Sequence, residues 1–185
     1  MNMQPELVDR SIDLDEIYAL RVRAWRARVP QFPDIDRWTD PWDLVGTHWA
    51  IRREGRIVAA ARLSIHNRLL ELPNPEIFQG VLPDDLSGPI GSLNRLVVAP
   101  EMAGQGLTLA LDCVRIDHAR HCRCTHLVGE TYAGMKRMAQ LESLGFRQVG
   151  LSAAYSSGPL AIVKQERGGG SSPDPPIVIR LDLRQ

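Results

Sequence analysis

The sequence predicts a single α+β domain over residues 1–185. Three observations carry this. Strand-like and helix-like stretches alternate along the chain, two strands around a Glu-Gly turn form a hairpin at 47–66, and a strand at 92–99 runs through a glycine loop into a helix.

In chain order, "ELVDR" at 6–10 reads as a short first strand. Asp13 or Asp15 caps a helix through "IYALRVRAW", where Ile17, Leu20 and Trp25 mark one apolar face. "PQFPD" and "TDPWD" are broken by proline, so 30–43 is a loop or holds a short helix. "THWAIRREGRIVAAARLSIH" gives strands at 47–53 and 56–66 around Glu54-Gly55. Residues 67–91, rich in Pro, Gly and Asp, form a long excursion with a helical turn near Pro75–Gln79, and such a loop often serves as a lid or binding element.

"SLNRLVVA" at 92–99 is the next strand. A helix follows over 107–120, with Leu107, Ala110, Leu111 and Val114 on one stripe and Asp112, Arg115 and Asp117 off it. "THLVGE" at 125–130 is a strand, and "GMKRMAQLESLG" is a helix that Gly145 ends. "FRQVGL", "LAIVKQE" and "IVIRLDL" are the last strands, with the turn-rich "RGGGSSPDPP" between the final two.

Composition excludes several functions. The 22 basic and 22 acidic residues cancel, so the basic excess of a nucleic-acid or membrane-surface protein is missing. Only Lys136 and Lys164 are lysines, and the other basic residues are Arg. No apolar run approaches the ~18 residues of a membrane span. The start "MNMQPELVDR" lacks the apolar core of a signal peptide, and three Cys fit reduced thiols, so a cytoplasmic location is expected.

The chemistry centres on "PEMAGQG", between strand 92–99 and helix 107–120. A helix start carries unpaired N–H groups and the positive end of the dipole, and glycines before it let the backbone approach an anion. Together they make a nest for a phosphate or pyrophosphate. The spacing matches neither a Walker P-loop nor a dinucleotide-binding fingerprint.

"RLVVAPEMAGQGLTLALD", followed some thirty residues later by "LESLGF", resembles the GNAT N-acyltransferase family. The resemblance is sharp over about 95–147 and topological elsewhere. It implies a three-layer arrangement in which helices flank a mixed, mostly antiparallel sheet. It also implies an acetyl- or other acyl-coenzyme A, with its pyrophosphate on the backbone of Ala103, Gly104, Gln105, Gly106, Leu107 and Thr108 and its pantetheine arm along Leu96, Val97 and Val98.

There are departures. Ala103 stands where the family usually has Arg, so Lys136 or Arg137 is a candidate replacement. Where the family often places a carboxylate relay and a tyrosine acid, this chain has Asn94 and Leu141, which exchange no proton. Glu130 or His66 is the expected proton relay, and Tyr132 the expected acid. Asn94 holds a water or the acceptor by hydrogen bonding, and Arg95 is a candidate for an acceptor carboxylate.

"HARHCRCTH" crowds His118, His121, Cys122, Cys124 and His126 together, but it matches no paired zinc frame, and no metal is expected. The expected function is transfer of an acyl group to the primary amine of a small molecule, with no nucleic-acid or membrane partner. Acyl carrier protein is an alternative donor and a homodimer an allowed assembly. The rival readings are a non-catalytic acyl-CoA sensor and a synthase of the acyl-homoserine-lactone or N-acyl-amino-acid type with longer acyl donors. A zinc-binding structural protein stands third.

Overall fold

A computed structural model describes residues 3–132, 134–153 and 176–183. The architecture is α+β. Among the described residues, helices flank a mixed sheet of seven strands: β1 (Glu6–Leu7), β2 (Thr47–Arg53), β3 (Arg56–Arg68), β4 (Ser87–Val98), β5 (His126–Tyr132), β6 (Arg147–Leu151) and β7 (Pro176–Asp182). Their order across the sheet is β1-β2-β3-β4-β5-β7-β6. The helices are α1 (Arg10–Arg26), α2 (Leu107–His121) and α3 (Met135–Ser143). The expected strand at 160–166 lies outside the described residues.

The chain divides into two compact units, Met1–Ser64 with Leu93–Asp117, and Ile65–Ser92 with His118–Gln185. In the first unit, α1 starts earlier than the sequence reading placed it. Asp9, not Asp13 or Asp15, is the cap: its carboxylate accepts from the Ser11 amide at 2.9 Å, while Asp13 reaches back to the Asp9 amide at 3.2 Å. Both acids serve the helix start, but the reciprocal pair puts its first turn on the polar "RSID". The buried face of α1 holds Leu14, Ile17, Tyr18, Leu20 and Val22, and also Arg21.

The β2–β3 hairpin turns at Glu54 and Gly55, both at positive φ (54° and 79°). A two-residue turn of that hand matches the right-handed twist of the strands it joins. β3 is buried at every residue from Ile57 to Ser64, so both its faces are covered, and Ala59, Ala60 and Ala61 supply the small side chains such a position needs.

In the second unit, β7 pairs antiparallel with β5 and with β6, and Gly145 follows the end of α3 as the sequence predicts. The excursion at 67–91 is shorter than expected, because β3 extends to Arg68 and β4 begins at Ser87. It is also not an open lid. Leu69, Leu72, Ile77, Phe78, Leu82 and Leu86 pack with Ile90, Val128 and Val178 into a buried apolar cluster. Burying that many aliphatic side chains favours a closed connector over a mobile flap.

Candidate functional site

The glycine loop belongs to the first unit. β4 ends at Val98, and the Ala99 amide bonds to Val58 O at 2.8 Å. A short 3-10 turn, Pro100–Met102, follows, anchored by the buried Met102 side chain. Gly104 and Gly106 then adopt φ of 81° and 76°, and helix α2 begins at Leu107, with Gly106 O accepting from the Leu109 and Ala110 amides. A non-glycine residue at either φ is strained. A Cβ at either glycine would meet nothing within 4 Å, so these glycines supply conformation beside open space.

Among the described residues, none accepts a hydrogen bond from the amides of Gly104, Gln105, Gly106 or Leu107. Ala103 is the exception to the predicted cradle, since its amide donates to Pro100 O at 3.2 Å. Four successive amides thus lie without a protein acceptor among the described residues at the positive end of a fifteen-residue helix, the kind of position where helices receive anions. The Gln105 amide nitrogen turns toward Met102 Sδ, 3.7 Å away, and Arg53 Nη1 reaches the same sulfur at 3.3 Å.

The same unit holds a buried ionic network that sequence reasoning did not foresee. "TDPWD" folds as a 3-10 turn, Pro41–Asp43, in which Asp40 caps the Trp42 amide at 3.0 Å and Asp43 reaches back to the Asp40 amide at 2.9 Å. This reciprocal capping fixes two carboxylates side by side. Arg21, from α1, donates to both oxygens of Asp43 at 2.8 Å. Arg62, from β3 and fully buried, donates to Asp43 at 2.7 Å, to Asp40 at 2.5 Å, and through Nε to Asn94 Oδ1 at 2.6 Å. Gly46 makes room for it, because a Cβ there would stand 2.7 Å from Arg62 Cδ.

Arg95 completes the network. It donates from Nε to Asp40 Oδ2 at 2.7 Å, its Nη2 lies 2.6 Å from the same oxygen, and its guanidinium stacks 4.7 Å from the centre of the Trp38 ring. Its backbone is in the left-handed region (φ 54°) in the middle of β4, the mark of a break in the strand.

The charges tune one another. Burial pushes the Asp43 carboxyl up, but the Arg21 hydrogen bonds and the charges of Arg21 and Arg62 outweigh it and bring it down to about 2. For Asp40, too, burial is outweighed, by the Arg62 hydrogen bond and the charges of Arg95 and Arg62, and the carboxyl lies below its ordinary range. Burial drives the nearby His48 down to about 4, which keeps it neutral at pH 7. Its Nε2 lies 3.1 Å from Asp43 O, so the proton sits on Nε2, and Nδ1 has no partner among the described residues.

Asn94 is half-buried on β4, with its side-chain oxygen held by Arg62. His66 is buried on β3, in the part of that strand that belongs to the second unit. Glu130 lies on β5 in the second unit and accepts from the Ser152 hydroxyl. Tyr132 is the last residue of β5 rather than a residue beyond it, and alternation puts it on the same face as Glu130. Arg137, on α3, donates to Gln140 at 3.1 Å, and Leu141 is wholly buried in the core. Asp112 and Arg115, placed off the apolar stripe of α2 by the sequence reading, are buried as an ion pair, with Arg115 also donating to Arg62 O at 3.3 Å.

In the stretch 118–126, Cys122 Sγ lies 3.5 Å from His118 Nε2, while His126 pairs with Asp182 at 2.9 Å. Among the described residues, no three His, Cys, Asp or Glu side chains gather to hold a metal, and no helix is long and apolar enough to cross a membrane.

A family model described as the acetyltransferase (GNAT) family matches residues 14–146. No curated protein matches the chain. Among solved structures it is similar to the AHL synthase LasI, at 16% identity and a TM-score of 0.68 over 99% of this chain and 91% of that one. It is also similar to the ribosomal-protein-S18-alanine N-acetyltransferase from Escherichia coli, at 16% identity and 0.62 over 100% and 96%. A Bacillus subtilis acetyltransferase in complex with CoA gives 13% identity and 0.60 over 99% and 100%. At these identities the likenesses speak for the fold alone.

Proposed function

Because the chain belongs to the acetyltransferase (GNAT) family, we propose that it moves an acyl group from an acyl-coenzyme A to the primary amine of a small molecule by direct attack. The observation that carries this reading is the run of amides from Gly104 to Leu107, unpaired among the described residues at the start of α2. Two glycines at positive φ and the helix dipole suit that run to a diphosphate, with Arg53 held beside the loop at Met102 Sδ.

In this reading Leu96, Val97 and Val98 line the pantetheine arm, and a backbone N–H near Val98 meets the developing oxyanion. Asn94 positions rather than exchanges a proton, since its oxygen already accepts from Arg62. Glu130 relays the proton of the attacking amine, with His66 as the alternative, and Tyr132 stands as acid to the thiolate. The acid is a minor need: a thiol has a pKa near ~8.5, and orientation alone lowers such barriers by roughly 7–11 kcal/mol. Buried Leu141 contributes packing and no proton.

A second reading, in which the donor is a longer acyl chain on coenzyme A or acyl carrier protein, carries over the activity for which the AHL synthase LasI, similar in fold, is named. One experiment separates the readings. The purified chain is offered acyl-coenzyme A thioesters of increasing length, then acylated carrier protein, each with a panel of amines, and free thiol is followed. Release that depends on the amine supports the transferase, and its chain-length profile chooses the donor. Tight binding of thioesters without release for any amine favours a sensor, and no affinity for any coenzyme A thioester overturns the acyl-CoA reading.

A further inference from the structure

The ionic network beside β4 does not balance. Among the described residues, three guanidiniums, Arg21, Arg62 and Arg95, face two carboxylates, Asp40 and Asp43, and the neutral His48 adds nothing. Arg115 is already matched by Asp112. One positive charge is left over in a region where Arg21 and Arg62 have 1% and 0% of their side chains exposed. A charge held out of water is costly unless an opposite charge meets it.

The surplus has one outlet. Arg21 and Arg62 are enclosed, whereas Arg95 keeps 10% of its side chain exposed. Asp40 occupies its Nε and Nη2, and Trp38 covers one face of the guanidinium. Among the described residues, nothing accepts from Nη1. The end-on fork of Nη1 and the second Nη2 hydrogen is therefore the part of the network still open, and it has the planar geometry that receives a carboxylate bidentately. The left-handed backbone at Arg95 points the same way, since strain of this kind persists where surrounding contacts impose it and gathers at ligand sites.

We propose that Arg95 binds a carboxylate carried by the acceptor, so that the amine acylated by this protein belongs to an amino acid. The proposal rests on the acyltransferase reading and narrows its acceptor class. A single carboxylate matches the single surplus charge, and the phosphates of the donor have their own nest at Gly104–Leu107, on backbone amides rather than on Arg. Asp40 and Trp38 act as positioning residues that hold the fork, and the Asp43, Arg62 and Arg21 contacts hold Asp40 in turn.

The test is equilibrium binding to the purified chain, by calorimetry, of each common L-amino acid and of its α-amide, which is nearly the same shape without the charge. At least one amino acid binds about ten- to a hundredfold more tightly than its amide. Arg95→Gln abolishes that preference while leaving coenzyme A affinity in place, and Arg95→Lys, which keeps the charge without the fork, retains part of it. If no amino acid is preferred over its amide, or if Arg95→Gln leaves the preference intact, the proposal is overturned. Should Arg95→Gln fail to fold, the acid–amide comparison on the wild type decides alone. Preference for the acid without thiol release from any thioester counts against the transferase reading and leaves this one standing.

Discussion

Arg62 and Asp43 meet at 2.7 Å with 0% and 1% of their side chains exposed, on a strand and a turn nineteen residues apart. Neither belongs to the glycine loop, yet Arg62 also holds Asn94, and Asn94 and Arg95 begin the part of β4 that leads to that loop. The pair ties the acidic turn to the middle of the sheet and so sets where the β4 residues stand.

Removing one partner of such a pair is expected to cost more than the pair contributes, because the other charge is left buried. Asp43→Asn strips the anion from both Arg21 and Arg62 and should destabilise the protein by about 3–5 kcal/mol. Urea unfolding measures this, and a loss under about 1 kcal/mol would mean that the network is hydrated and its charges already screened.

The pH dependence of stability follows from His48 and Asp43. His48 titrates at about 4 in the fold against 6.5 ordinarily, so between those values the unfolded chain binds a proton that the folded chain refuses. Its contribution is full above the unfolded value and is lost as pH falls from 6.5 toward 4, about 3 kcal/mol in all. Asp43, lowered from 3.8 to about 2, adds a second loss only below 3.8. His118 is also lowered, by burial and then by His121, so the decisive quantity is the slope that His48→Gln removes. Unfolding midpoints taken across the acidic range, if equally steep in wild type and His48→Gln, would refute this assignment.

Much of the frame was legible in the sequence, and the network was not. The Glu54-Gly55 turn, the start of α2 at Leu107 and the stop at Gly145 are local signals, and the structure bears them out. Charged residues read as solvent-facing unless something argues otherwise, so Asp112 and Arg115 read as lying off the apolar stripe of a helix that buries them both. Two signals did exist. Arg21 lies three, four and seven residues from Tyr18, Ile17 and Leu14, squarely on the buried stripe of α1. Asp40 and Asp43 have the spacing of a capping pair around a proline, which the eye takes for a break in the chain. That they converge on Arg62 depends on strand pairing, which no local pattern encodes.

Gly46→Ala tests the fit around Arg62. A Cβ at Gly46 would lie 2.7 Å from Arg62 Cδ and 2.8 Å from Cγ, and 3.0 Å from the carbonyl oxygen of Trp42. The guanidinium cannot swing away without leaving Asp40, Asp43 and Asn94 at once, so the expected cost is about 1–3 kcal/mol of overpacking. A crystal structure of the variant with Arg62 unmoved and stability unchanged would contradict this.

Gly104→Ala and Gly106→Ala probe the loop by conformation alone. Each new methyl group enters open space, but each backbone stands near φ 80°, where alanine is strained by roughly 1–2 kcal/mol. The loop relieves that strain by turning its amides, so coenzyme A affinity is expected to fall about tenfold or more while the melting temperature drops by only a few degrees. Full affinity in both variants would mean that the amides of Gly104–Leu107 do not carry the donor.

Glu130 offers the sharpest test of the proposed proton path. It is half-buried and accepts from Ser152, so its carboxylate is oriented by a hydroxyl. If it accepts the amine's proton, Glu130→Gln keeps the shape and the Ser152 contact but lowers kcat by about 10²–10⁴-fold, with the KM for thioester little changed. The acidic limb of the kcat profile should vanish with it. Ser152→Ala, which removes only the orienting hydroxyl, should cost far less and leave that limb in place. If Glu130→Gln turns over normally, His66→Asn takes its place in the same measurement. If that variant is also normal, the reaction runs on positioning, with the acceptor amine deprotonated by water before it attacks.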